Sequence, residues 1–152
     1  MTVSKREHQL DVLEVFISGE RFAVEAKYVR EANKLAGLTP LPCTPNFVLG
    51  LINFRGQIIA LLDLREMLEL KPLQKKTDLQ IVVLQSGTTY SGIAVDEIVG
   101  ISAIIQTELQ APQQLASASV ASLLKGIRSD RLAVIDVEKV FADPRLIVEA
   151  IP

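Results

Sequence analysis

Apolar residues along the chain come in short runs rich in Val, Ile and Leu, separated by Gly, Pro, Ser, Asn and Asp. That punctuation predicts short strands joined by tight turns. The stretch "LEVFISGERFAV" at 13–24 reads as strand, Ser18-Gly19 turn, strand, with glycine supplying the left-handed backbone position. "IVVLQSGTTYSG" at 81–92 repeats the arrangement around Ser86-Gly87, with Tyr90 in the place of Phe22. Further on, "GQIIALLDLREML" matches "DRLAVIDVEKVF", which aligns Asp63 with Asp136 and "LREML" with "VEKVF". The chain therefore repeats itself over about half its length.

"NFRGQ" and "RSDR" separate further runs of strand length, Leu51 to Phe54 from Ile58 to Leu62 and Leu123 to Ile127 from Leu132 to Ile135. Each half opens and closes with a hairpin. Asp63 and Asp136 end strands and precede good helix formers, so both are assigned as helix N-caps. Prolines 40, 42, 45, 72 and 112 mark connecting loops, among them "QAPQQLASASVAS". The halves change near 72–80, behind a tail at 1–10 and within a domain at 11–147. Hairpins twice over, with helices too short to cover a parallel sheet, predict a mainly β fold of two small antiparallel barrels packed together.

Composition supports that reading. A chain of 152 residues buries about two thirds of its unfolded surface as one domain or as two subdomains sharing a core. Hydrophobic residues make up 49%, aromatics 5%, and Trp is absent, so Val, Ile, Leu and Ala must fill both barrels and the seam between them. The longest uncharged apolar runs, "FVLGLI" and "IIALL", fall far short of the roughly 20 residues of a membrane helix. The start "MTVSKREHQLDV" lacks the apolar core of a secretion signal. No membrane insertion and a cytoplasmic location are expected. Cys43 has no partner for an internal disulfide. Sixteen basic against 18 acidic residues, with no basic cluster beyond Lys75 and Lys76, argue against a nucleic-acid partner.

Catalytic chemistry finds little to work with. The single histidine, His8, lies in the polar tail, and Cys43 sits between Pro42 and Thr44 as a small loop filler. None of the eight glycines belongs to a phosphate-cradling loop. Asp96 and Glu97 are adjacent, and adjacent strand residues point to opposite faces. No cofactor or metal is expected, and a binding module fits better than an enzyme.

The stretch "VLGLINFRGQIIALLDLREML" resembles the CheW family of chemosensory adaptors, supported by "FAVEAKYVREA", "LTPLPCTPNFVLG", "YSGIAVDEIVGI" and "LLKGIRSDRLAVIDVEKVF". The similarity runs from about residue 11 to 143 and departs from the family pattern at Ala32, Phe54 and Ala60. It implies two intertwined five-stranded SH3-like barrels with short helices and no catalysis. The implied role is a scaffold between the cytoplasmic tip of methyl-accepting chemoreceptors and a CheA-type histidine kinase. Val29, Glu31 and Arg55 would face the receptor, and Leu115, alone in a polar loop, would belong to an apolar kinase-facing surface. Each has a plainer alternative. Arg55 could brace its hairpin by pairing with Glu31 or Asp63, Val29 could be core, and Leu115 could tuck under its loop. Two rival functions share the fold: an adaptor for a pilus-motility or other chemosensory-like pathway, and an SH3-like module for RNA or a small ligand. The acidic balance and scarcity of aromatics oppose the second.

Overall fold

The computed structural model describes residues 9–41, 47–73 and 78–146. His8, Cys43, Lys75 and Lys76 lie outside the described residues. Ten strands form among these residues: β1 (Gln9–Ile17), β2 (Glu20–Glu25), β3 (Val29–Lys34), β4 (Val48–Phe54), β5 (Gln57–Leu62), β6 (Gln80–Ser86), β7 (Thr89–Val95), β8 (Glu97–Ile105), β9 (Leu124–Ile127) and β10 (Ala133–Ile135). Among the described residues two short α-helices join them, α1 (Ala118–Ala121) and α2 (Val137–Ala142). The strands make two five-stranded sheets, ordered β8-β1-β2-β10-β9 and β3-β6-β7-β5-β4.

The hairpins form where Gly falls at a turn. Ile17 faces Glu20 across Ser18-Gly19, Phe54 faces Gln57 across Arg55-Gly56, and Ser86 faces Thr89 across Gly87-Thr88. In the first two, both turn residues have positive φ, the backbone that matches the twist of the flanking strands.

The repeat in the sequence appears as an exchange of strands. Each sheet takes the opening hairpin of one half of the chain and the remaining three strands of the other. Advancing every strand by five places turns one sheet order into the other. The halves that change near 72–80 therefore do not each build a sheet, and the barrels are intertwined. The expected antiparallel pairing holds except at the joins between halves, where β2 runs parallel to β10 and β5 to β7.

Each sheet is closed by the chain beyond its edge strand. After β3, Thr39 exchanges backbone hydrogen bonds of 2.9 and 2.8 Å with Leu51 of β4, and after β8, Gln110 exchanges bonds of 2.8 and 3.0 Å with Ile127 of β9. A glycine admits the closing segment at both places. A Cβ on Gly50 would collide with the Thr39 carbonyl oxygen, and one on Gly126 would lie 2.7 Å from Leu109 Cβ. Gly50→Ala should cost about 2 kcal/mol or more through overpacking at the closure, read as a lower midpoint in urea. An unchanged midpoint would mean that the closure is not tight.

Side chains alternate along the strands between the two faces of each sheet, and the strands inside the sheets are covered on both faces. In β6, Ile81 and Val83 point into one barrel, while Val82 and Leu84 point into the seam between barrels. In β10, Ala133 and Ile135 face the seam and Val134 the other barrel. Cover on both faces is why such strands read as unbroken apolar runs. The seam, with Leu13, Val15, Ile17, Leu62, Leu68, Ile93, Leu124 and Val137 among its members, is the largest core.

Two connectors differ from expectation. "LREML" forms successive turns instead of an α-helix, with Leu68 N–H donating to Leu64 O at 2.9 Å and Glu69 ending the run at φ +58°. The stretch expected to be all loop contains a 3-10 turn at Pro112–Gln114 and α1, whose N-cap Ser117 accepts from Val120 N–H at 3.2 Å.

Candidate functional site

Arg55 occupies the first central position of the β4–β5 turn with φ +51°, a conformation that costs a non-glycine residue about 1–2 kcal/mol. The tip is fixed from both sides. Asn53 Oδ1 accepts from Gly56 N–H at 2.9 Å, and the guanidinium carbon lies 4.9 Å from the ring centroid of Phe54, which is buried in the barrel core. The Arg55 side chain nevertheless remains 71% exposed.

Its one described ion partner is Glu31, with Nη2 and Oε1 3.9 Å apart and Glu31 itself 39% exposed. That separation exceeds a hydrogen bond, and exposed pairs of this kind contribute about 0–1 kcal/mol. Glu31 lies on β3, just past a bulge that displaces Arg30 from the ladder. Arg30 Nε donates to Gln85 Oε1 at 2.6 Å, which turns its cation away from the pair. Val29, two residues earlier on β3, is half-buried against the seam. Val29, Glu31 and Arg55 thus belong to one barrel, with Glu31 and Arg55 brought side by side. The alternative pairing of Arg55 with Asp63 does not occur: the two sit at opposite ends of β5, and Asp63 pairs with Arg65.

Arg65 is the residue that sequence reading missed. Its side chain is 2% exposed among the apolar side chains of the seam. Nη1 donates to Asp63 Oδ1 at 3.0 Å, Nη2 to Asp96 Oδ1 at 2.6 Å, and Nε to Ser18 Oγ at 3.0 Å. These anchors come from the end of β5, the bend between β7 and β8, and the β1–β2 turn, so one guanidinium ties the two sheets together. Asp63 is consequently not the cap of an α-helix. Its Oδ1 accepts from Arg65 N–H at 3.0 Å, closing a turn, and otherwise serves the ion pair. Asp136 does open a helix, accepting from Lys139 N–H at 3.1 Å at the start of α2. The signal in the sequence was the break in the repeat: Arg65 aligns with Glu138, which is exposed on α2.

Leu115 stands apart from these residues. It is 53% exposed at the rim of a cavity of about 570 Å³ in the other barrel, floored by Phe22, Leu70, Val120, Leu124 and Ile127. Arg21 and Arg128 at the rim share Asp130, with Arg128 Nε donating to Oδ1 and Nη2 to Oδ2, both at 2.8 Å. The Arg128 hydrogen bonds hold the Asp130 carboxyl far below the usual carboxylate range. A second apolar surface is the stripe Val99, Ile101 and Ile105 on β8, an edge strand. Among the described residues, no group of three or more His, Cys, Asp or Glu is placed to hold a metal ion, and no helix is long and apolar enough to cross a membrane.

Residues 11–145 match the family described as the CheW-like domain. The chain belongs to the CheW-like family. A CheW-like chain is a chemotaxis-type adaptor and not an enzyme. Among its relatives, the chemotaxis protein CheW of Helicobacter pylori is 32% identical over 87% of this chain and 82% of its own length. The chemotaxis protein CheW of Treponema pallidum is 26% identical over 96% and 89%. Protein FrzA of Myxococcus xanthus is 28% identical over 68% and 65%. The fold agrees with the crystal structure of the scaffolding protein TtCheW from Thermoanaerobacter tengcongensis, with a TM-score of 0.73 at 23% identity over 84% of this chain and 88% of that one.

Proposed function

We propose that the chain is a cytoplasmic adaptor coupling the cytoplasmic tip of methyl-accepting chemoreceptors to a CheA-type histidine kinase. Val29, Glu31 and Arg55 take the receptor, and the surface around Leu115 takes the kinase. The observation that carries this reading is Arg55, a guanidinium side chain held at a left-handed turn position and left 71% exposed. A turn alone would favour Asn or Gly there, and a brace would engage its partner more closely than 3.9 Å. A guanidinium fixed in this way suits bidentate pairing with a carboxylate or with the carbonyls at a helix end.

Relatives include protein FrzA as well as proteins named CheW, and a second reading is the same scaffold serving a pilus-motility or other chemosensory-like pathway. Co-sedimentation tests the first. A receptor cytoplasmic fragment in membranes should pellet the kinase only when this chain is present. Kinase remaining in the supernatant, with or without the chain, would overturn the assignment.

A further inference from the structure

Resting on that functional reading, we propose that the segment from Asp63 to Leu70, pinned at Arg65, is the link that couples the receptor-facing hairpin to the kinase-facing surface. β5 runs from the Arg55 turn directly into Asp63. Arg65 fixes Asp63 against Asp96 and Ser18, and Ser18 Oγ in turn donates to the Lys71 carbonyl at 2.8 Å. Leu64, Met67 and Leu68 are buried in the seam. At the far end, Glu69 Oε2 accepts from Ser117 Oγ at 3.0 Å, and Ser117 is the N-cap of α1, two residues beyond Leu115. Leu70 lines the same cavity as Leu115.

The two proposed surfaces lie on different sheets, yet this one segment touches the structure under both. Its counterpart in the second half of the chain is the helix α2, with exposed Glu138 where Arg65 is buried. The link is therefore one-sided in an otherwise doubled fold. Losing either carboxylate anchor leaves the Arg65 charge short of a counter-ion in a low-dielectric seam, so the segment moves as a unit and transmits displacement. Glu69 holds a left-handed backbone without being glycine, which keeps its carboxylate aimed at Ser117. Arg65 acts as a positioning residue for both surfaces.

The test measures the affinity of the full chain for the kinase regulatory domain with and without saturating receptor fragment. The wild-type ratio should fall within the range of about 5- to 150-fold seen for coupled sites. Glu69→Asn accepts the same backbone conformation but is too short to reach Ser117. Ser18→Gly keeps the turn and deletes the hydroxyl. Both variants should keep each separate affinity and lose the ratio, which should fall towards one. A wild-type ratio retained in both folded variants overturns the link, as does a wild-type chain that binds each partner with no ratio at all. A wild-type chain that binds neither partner overturns the functional reading instead. A purely structural role would lower the melting temperature and both affinities while leaving the ratio intact, and that result also counts against the link.

Discussion

Replacing Arg65 by methionine is expected to lower the unfolding free energy by about 3–5 kcal/mol, the usual cost of removing one partner of a buried ion pair. For a chain of this size that is a fall in melting temperature on the order of 10 °C. Methionine fills much of the arginine's volume, so the loss comes from the stranded anions and not from a cavity. Asp63 is 13% exposed and Asp96 39%, so Asp63 carries most of the penalty while Asp96 still reaches water. Adding Asp63→Asn to the methionine variant should therefore recover part of the loss, whereas adding Asp96→Asn should recover less. Urea unfolding of the single and double variants measures both effects. A cost below about 1 kcal/mol would place Arg65 among ordinary surface pairs.

Arg55→Asn is expected to separate binding from folding. Asparagine accepts the left-handed turn position better than arginine, a gain of about 1 kcal/mol. Against it stand the contact with Phe54, worth about 0.5–1 kcal/mol at an exposed site, and the long pair with Glu31, worth close to nothing. Stability should stay within about 0.5 kcal/mol of the parent, because these terms offset one another. Receptor affinity should fall by about 2 kcal/mol, or roughly thirtyfold, the scale of charge-assisted hydrogen bonds at an interface. Isothermal titration of a receptor fragment, beside a melting curve, decides it. If the variant melts well below the parent while binding normally, Arg55 is a brace and the receptor site lies elsewhere.

Much of the fold was legible because hairpins are local. Ser18-Gly19 and Ser86-Gly87 announce turns within a few residues of the strands they join, and Asp136 announces the start of α2. The same local logic misled at Asp63. A capping residue ahead of helix formers is a sound pattern, yet the residues after it answer to the seam, where Leu64, Met67 and Leu68 are buried and Arg65 reaches back to its anchors. The exposure of Val99, Ile101 and Ile105 was equally hidden, since their alternation along β8 fits a strand with either face covered.

By itself the sequence determined that this chain would be a doubled, strand-rich body with Arg55 at a hairpin tip, because turn chemistry and side-chain period act over a handful of residues. Only the tertiary structure decided that the halves exchange strands, that Gly50 and Gly126 admit the closing segments, and that the second arginine of the same stretch, Arg65, is the buried one. Those features depend on partners that meet only when distant parts of the chain pack: Ser18 and Asp96 reach Arg65 from 47 and 31 residues away. No period or propensity along the chain encodes such a meeting.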